Sequence, residues 1–391
     1  MAGLYVHVPF CAQRCTYCDF YFVAGEKATA GFVQAALVEI EALGQRYGAR
    51  EPIGTIYFGG GTPSRLPVES VFALLDAVRR HFRAGALDEV TFELNPDDAT
   101  PEYLRSLRAL GIDRLSIGVQ SFFDEDLRWM RRVHTADQAD TVVAMAREAG
   151  FDNLSLDLIF GLPDQPEEYW AANLERAVRL GAEHLSTYGL TIEERTALGK
   201  AVASGRVVPA DDETMAVRYR FTMDYLRAHG YEHYEISAFA KPGRRAVHNA
   251  RYWTHANYLG VGPSAHSFWW DRRLGGAGAR RWSNVRSLAR YEALIGQGRA
   301  PLDEQQQLSL DTLANEFLML RLRTSDGLDL DTLEGRYGVD LLAERVDEIA
   351  ALEAAGLARL RGTTLRLTDE GKLVADAVTE RLVLDETHRG L

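Results

Sequence analysis

Six short apolar segments, at 4–9, 55–58, 89–94, 114–119, 153–160 and 184–190, recur through the first half of the chain, with helix-length stretches between them. Strands that alternate with amphipathic helices demand a parallel sheet built from repeated βα units. The helical pattern is plain at 30–46, where Phe32, Ala35, Ala36, Leu37 and Ile40 share an apolar side, and it returns at 69–82 and 166–180. Six units are too few for a closed eight-stranded barrel. The expected fold is therefore α/β, a partial (β/α)6 barrel over residues 1–210, open on one side.

Beyond residue 210 the pattern loosens, and 211–300 reads as an extension rich in Gly, Trp and His. From 301 to 391 it changes again, to helices at 307–321, 330–337 and 340–355. An alternating segment follows at 357–367 around Gly362, and then a closing helix with Asp369 and Glu370 in its first turn, where carboxylates suit the helix dipole. This order predicts a C-terminal winged-helix-like α+β domain. Residues 302–391 hold 10 Lys/Arg against 19 Asp/Glu, a net of −9, which argues for a packing or lid domain over a nucleic-acid reader.

Among 391 residues, 46% hydrophobic, there is no apolar run of bilayer length. The N-terminus lacks the basic region, apolar stretch and cleavage site of a secretory signal. A cytoplasmic protein with at most peripheral membrane contact is expected, as monomer or homodimer. The formal charge of −12 argues against nonspecific nucleic-acid binding by the whole molecule, though not by a local patch.

The three cysteines of the chain, Cys11, Cys15 and Cys18, stand in one C-x3-C-x2-C run just after the first strand. Three thiolates suit neither a disulfide set nor a closed four-ligand zinc site, but they can hold three irons of a 4Fe–4S cluster and leave the fourth open. The alternative is zinc, with His7 or another residue completing the set. One unit later, Gly59-Gly60-Gly61-Thr62-Pro63 follows the second strand, where glycines let the backbone approach a ligand closely. Glu93, Gln120 and Asp157 then recur at successive strand ends, with Arg132 in the following loop. A ligand with an amine, a carboxylate and a ribose diol needs such partners. Taken singly, each is equally well a strand-end residue bonded to loop backbone.

These motifs resemble the radical S-adenosylmethionine superfamily, specifically the branch of oxygen-independent coproporphyrinogen dehydrogenases and related haem chaperones. The likeness covers nearly the whole chain, including Tyr5-Val-His-Val-Pro-Phe-Cys, Ile117-Gly-Val-Gln-Ser-Phe, Leu156-Asp-Leu-Ile-Phe-Gly-Leu-Pro, Tyr234-Glu-Ile-Ser-Ala-Phe-Ala and Gly260-Val-Gly-Pro-Ser-Ala-His-Ser. It implies a barrel of the radical SAM type, with the cluster on Cys11, Cys15 and Cys18. Tyr5, Gly60, Gly61, Thr62, Glu93, Gln120, Arg132 and Asp157 are then expected to contact S-adenosylmethionine: Glu93 at its amine, Arg132 at its carboxylate, Gln120 and Asp157 at its ribose. Reductive cleavage of the sulfonium is the chemistry this branch implies.

The dehydrogenases carry a fourth cysteine two residues after the third, where this chain has Phe20, and a long segment before the cysteine strand, where four residues precede Tyr5. Both departures point to the chaperone branch, with haem as cargo passed to haem-accepting proteins, respiratory ones among them. In that branch the cluster and S-adenosylmethionine govern assembly or release rather than transform a porphyrin; a true coproporphyrinogen dehydrogenase is the alternative. Residues 241–290 hold 10 Lys/Arg, one acid (Asp271) and four of the six Trp, the side-chain types that a flat ring with two carboxylates requires. His248-Asn249-Ala250-Arg251-Tyr252-Trp253 is the motif associated with haem, so His248, Asn249, Tyr252 and Trp253 are the expected haem-binding residues, with His255 and His266 as competing ligands. The bland reading makes Tyr252 and Trp253 core and His248 a hydrogen-bonded structural histidine. Basic residues among aromatics also suit single-stranded RNA, which leaves a tRNA-modifying radical enzyme as a third reading.

Overall fold

A computed structural model describes residues 1–24, 29–270 and 278–384. The six expected strands are Ala2–Val8, Ile53–Gly60, Ala84–Leu94, Arg114–Gln120, Leu154–Phe160 and His184–Gly189. Each pairs in parallel with the next. Helices Thr29–Tyr47, Val68–His81, Pro101–Ala109, Ala136–Glu148 and Glu167–Arg179 make the crossovers. Alternate strand residues such as Leu4, Val6, Ile56, Phe58, Leu115, Ile117 and Leu156 are fully buried in the main core, together with the helix residues Phe32, Ile40, Leu74, Leu107 and Val142. The sheet stays open, as its twelve strands run in one unclosed order.

Residues of the other parity are polar. Thr55, Glu89, Thr91, Arg114, Ser155 and His184 are all buried, where a closed barrel usually packs Val, Ile and Leu. A short helix, Val247–Trp253, closes the amino-terminal end of the strands over them. The backbone N–H groups of Val247 and His248 donate to the Glu89 carboxylate at 2.8 and 2.9 Å, and Arg114 faces that carboxylate at 4.0 Å. A buried ion pair is tolerable only when further bonds satisfy its members, and the helix terminus supplies two.

The stretch 211–300 extends the same sheet and shares its core. Tyr258–Val261 pairs in parallel with Ala2–Val8, and His266–Trp270, Ala279–Asn284 and Leu302–Leu308 continue outward antiparallel. Ala238–Ala240 and Glu232–Glu235 extend the opposite edge. One expectation is corrected here: the helix placed at 307–321 begins only at Leu310, and Leu302–Leu308 is a strand. Its Asp-Glu-Gln-Gln-Gln composition favours a helix, but the open edge of Ala279–Asn284 takes it into the sheet.

The C-terminal domain packs a second core around Leu313, Phe317, Leu333, Leu352 and Leu365, which Phe268 and Ala279 of the extension share. Its three short strands, Leu328–Asp329, Thr364–Leu367 and Ala358–Arg361, form the wing, with Gly362 at φ +60° in the turn. The closing helix is two helices, Asp369–Leu373 and Ala375–Leu382, divided where Val374 leaves helical dihedrals. Asp369 and Glu370 do more than suit a helix dipole, because they pair with Arg227 and Arg220 on helix Asp212–Ala228 and dock the domain. Among the described residues no helix is long and apolar enough to cross a membrane.

The Gly260-Val-Gly-Pro-Ser segment is structural. Gly262, at φ +101°, packs so closely that a Cβ there would lie 2.5 Å from the His7 carbonyl oxygen. Its N–H donates to buried Glu39, as do Asn284 Nδ2 and the Tyr291 hydroxyl, at 2.8, 2.7 and 2.6 Å. Burial raises the Glu39 carboxyl to about 7 despite these donors. Glu39→Ala removes the acceptor of three buried N–H and O–H groups, of which Asn284 keeps the Gly262 carbonyl at 2.9 Å, and is expected to cost about 3 kcal/mol of unfolding free energy in chemical denaturation, whereas a loss within experimental error would remove Glu39 from this role.

Candidate functional site

Parallel strands end on one rim, and the loops beyond them enclose a cavity of about 460 Å³ that all three cysteines line. The cysteine loop is pinned by pairing of Phe10–Cys11 with Val23–Ala24. The Thr62 hydroxyl lies 3.6 Å from Cys11 Sγ, and the Arg132 guanidinium 3.9 Å from Cys15 Sγ. Burial pushes the Cys11 thiol up to about 11 and raises Cys18 too. A bound cation offsets such burial and favours the thiolates.

Three unpaired cysteines on one cavity wall fit a cubane, which takes each thiolate on a different iron. Among the described residues no three His, Cys, Asp or Glu side chains converge on a single metal ion. His7, the proposed zinc partner, has both ring nitrogens engaged, with the Tyr5 hydroxyl at 3.2 Å and the Tyr21 carbonyl at 2.9 Å. Burial holds it neutral, with its pKa lowered to about 4.

The glycine run serves the protein as well as any ligand. Gly60 sits at φ +111°, where a Cβ would meet the His7 ring at 2.6 Å, and one at Gly61 would lie 2.8 Å from the Phe10 carbonyl oxygen. Without side chains there, the second strand can press against the cysteine loop. Gly61 N–H donates to Val8 O at 2.8 Å and fixes that contact.

Seven of the eight expected S-adenosylmethionine residues line the cavity: Gly60, Gly61, Thr62, Glu93, Gln120, Arg132 and Asp157. Glu93 accepts from the Tyr57 hydroxyl at 2.7 Å and Gly60 N–H at 3.2 Å, and burial raises its pKa to about 7. Asp157, likewise raised by burial, accepts from Ser116 at 3.0 Å. Gln120 holds φ +66°, a left-handed conformation rare outside glycine and frequent where a side chain must be aimed. Arg132 donates to Asn95 at 2.6 Å and the Gly118 carbonyl at 2.8 Å, while its buried Nε has no partner among the described residues. That orphaned donor beside Cys15 fits a ligand carboxylate. Tyr5 is not part of the lining; its ring lies 6.0 Å from Tyr57.

Two residues missed in the sequence complete the arrangement. Asn95 bridges Arg132 and Thr62, whose hydroxyl accepts its Nδ2 at 3.2 Å, and Tyr57 holds Glu93. The Asn-Pro after Glu93 marks a strand end, but nothing local shows that an asparagine there reaches Arg132.

The motif expected to hold haem lies at the other end of the barrel. His248 is 1% exposed, with Nδ1 bonded to Thr55 Oγ1 and Nε2 to the Tyr252 hydroxyl, both at 2.9 Å. Arg251 holds the Met1 carbonyl and Asp88. Asn249, Tyr252 and Trp253 are half-buried. Of the competing ligands, His255 is buried between Tyr337 and Glu316, and His266 is exposed. Trp269 and Trp282 belong to the core, where Tyr47 packs against both. Part of the basic stretch is neutralised by distant acids, with Arg244 on Asp152, Arg245 on Glu232 and Asp326, and Arg281 on Glu316. Its residues 271–277, Asp271 among them, lie outside the described residues.

Comparison with known proteins matches residues 5–177 to the Radical SAM superfamily and 308–374 to the HemN C-terminal domain. Heme chaperone HemW of Mycobacterium tuberculosis is 36% identical over 97% of this chain and 94% of its own length. HemW of Bacillus subtilis is 34% identical over 97% and 98%. The bovine mitochondrial radical S-adenosyl methionine domain-containing protein 1 is 33% identical over 96% and 86%. The solved structure of Escherichia coli coproporphyrinogen III oxidase HemN, 24% identical, superposes with a TM-score of 0.83 over 98% of this chain and 90% of its own, and so shares the fold. With near full-length relatives above 30% identity and a rim built of the expected residues, the chain belongs to the radical SAM superfamily and, within it, to the HemW family.

Proposed function

We propose that this chain is a cytoplasmic haem chaperone on a radical SAM scaffold, binding haem and passing it to acceptor proteins. The observation that carries the reading is the match to proteins named heme chaperones, which spans barrel, extension and C-terminal domain together. Phe20, in place of the fourth cysteine of the dehydrogenases, supports it.

We assign cluster ligation to Cys11, Cys15 and Cys18. When bound, the cluster supplies single electrons and one open coordination position for the methionyl end of S-adenosylmethionine. The chain's own residues position that ligand. Glu93 receives the ammonium, and Arg132 directs its free Nε–H at the carboxylate. Gln120 and Asp157 accept from the ribose, while Thr62 and Asn95 hold Cys11 and Arg132 in place. Tyr5 supports Tyr57, which donates to Glu93.

Reconstituted protein is expected to bind haem and release it to an apo-haem protein, and to leave coproporphyrinogen III unchanged when supplied anaerobically with S-adenosylmethionine and reductant. Formation of protoporphyrinogen IX would establish the dehydrogenase instead. Cys15→Ser should abolish the visible iron–sulfur absorbance and keep the far-ultraviolet circular dichroism of the parent, because neither core contains that residue; an unfolded variant would contradict this. The raised Glu93 pKa gives a pH dependence. The free carboxyl is protonated below about 7 and cannot pair with an ammonium, so S-adenosylmethionine affinity, measured by calorimetry, should rise from about pH 6 to about pH 8 and flatten in Glu93→Gln.

A further inference from the structure

We propose that the wing of the C-terminal domain binds a phosphoryl anion, a diphosphate or two closely spaced phosphate groups, through Arg359, Arg361 and Arg366. The site lies outside the barrel cavity and stands whether or not the chain carries haem.

The wing places charge where a hairpin resists it. Strands Ala358–Arg361 and Thr364–Leu367 pair antiparallel, with Arg359 directly opposite Arg366. Like charges in that position destabilise the pair of strands. Side chains alternate faces along a strand, so Arg361, two residues on from Arg359, adds a third cation to the same face. All three arginines are exposed. Residues 302–391 hold 10 Lys/Arg against 19 Asp/Glu, and three of those ten stand within the eight residues 359–366. Acids are therefore plentiful nearby, and neighbouring arginines find them: Arg220 pairs with Glu370, and Arg227 with Asp369. Among the described residues none of the three wing arginines has an ion-pair partner. Arg366 Nε donates to the Asp326 carbonyl at 3.2 Å, while the guanidinium groups of Arg359 and Arg361 have no hydrogen-bond partner among the described residues.

The three guanidinium groups meet at one open cavity of about 320 Å³, lined also by Leu367, Thr368 and Asp369. That volume suits a small ligand. The acid in the lining does not oppose an anion, because Arg227 holds the Asp369 carboxylate at 2.7 Å and Lys372 holds it at 3.0 Å. A carboxylate has two oxygens to offer, which one guanidinium fork can occupy; three forks around one cavity match the larger oxygen set of phosphoryl groups. A nucleic-acid backbone is a poorer fit. Helix Leu341–Ala354, which leads into the wing, carries Glu344, Asp347, Glu348 and Glu353 and repels a long chain of phosphates.

The test is calorimetric titration of the full chain with inorganic pyrophosphate at low ionic strength, where surface charge is least screened. The variant is Arg359→Gln/Arg361→Gln, which removes two cations and breaks no hydrogen bond or ion pair among the described residues. It should fold with a melting temperature at or above that of the parent, and its affinity for pyrophosphate should fall about tenfold or more. Pyrophosphate should raise the melting temperature of the parent and leave that of the variant nearly unchanged. Flotation with phosphatidylcholine vesicles containing phosphatidic acid identifies the source of the anion. Capture of the parent, reversed by pyrophosphate and lost in the variant, assigns the site to a lipid headgroup; pyrophosphate binding without capture assigns it to a free phosphate compound. A parent that binds neither probe overturns the site, as does a folded variant with parental affinity.

Discussion

Parallel pairing is the constraint on which the rest of the molecule depends. It turns the carboxyl ends of six strands to one side, so that residues more than a hundred positions apart become neighbours around one cavity. Arg132 reaches Cys15 only because the first and fourth strands end on the same rim. On that rim a Cβ at Gly60 would collide with the His7 ring and one at Gly61 with the Val8 and Phe10 carbonyl oxygens. Close packing here brings the cysteine loop and the ligand-facing strand ends together.

The opposite end of the strands obeys a different requirement. Its polar interior, with Glu89 and Arg114 buried together, needs donors and acceptors on every side. Helix Val247–Trp253 provides them from above Glu89, and His248 joins Thr55 to Tyr252. Burial and nearby arginines lower the His248 pKa to about 3, so it stays neutral and can hold one donor bond and one acceptor bond at once. Tyr57 stands between this floor and the cavity, its ring 5.2 Å from His248 and its hydroxyl on Glu93.

Charge is distributed by the same logic. The basic extension looked like a surface for an anionic ligand, yet Arg244, Arg245, Arg251 and Arg281 meet acids from elsewhere in an acidic chain. Glu316 shows the effect: burial alone would raise its carboxyl, but His255 and Arg281 hold it at about 2. Sequence-local charge therefore reported packing between segments. Aromatic residues followed suit, with Trp269 and Trp282 filling the core beside Tyr47.

Much of the fold was legible along the chain because strand and helix periodicities are local properties of the backbone. Helices expected at 30–46, 69–82 and 166–180 are found at Thr29–Tyr47, Val68–His81 and Glu167–Arg179. The strand Leu302–Leu308 was not legible, since its pairing edge lies in another segment and its composition suits a helix. In the cavity, the cysteine spacing and the recurring strand-end polar residues could be read directly, while Asn95 and Tyr57 could not. The βα order, the spacing of the three cysteines and the family motifs follow from residue type and spacing alone, because these are local properties of the chain. Which polar groups a ligand can still reach was settled by folding: His248 spends one ring nitrogen on Thr55 and the other on Tyr252, while among the described residues Arg132 Nε has no partner, and no local pattern encodes who meets whom across a folded interior.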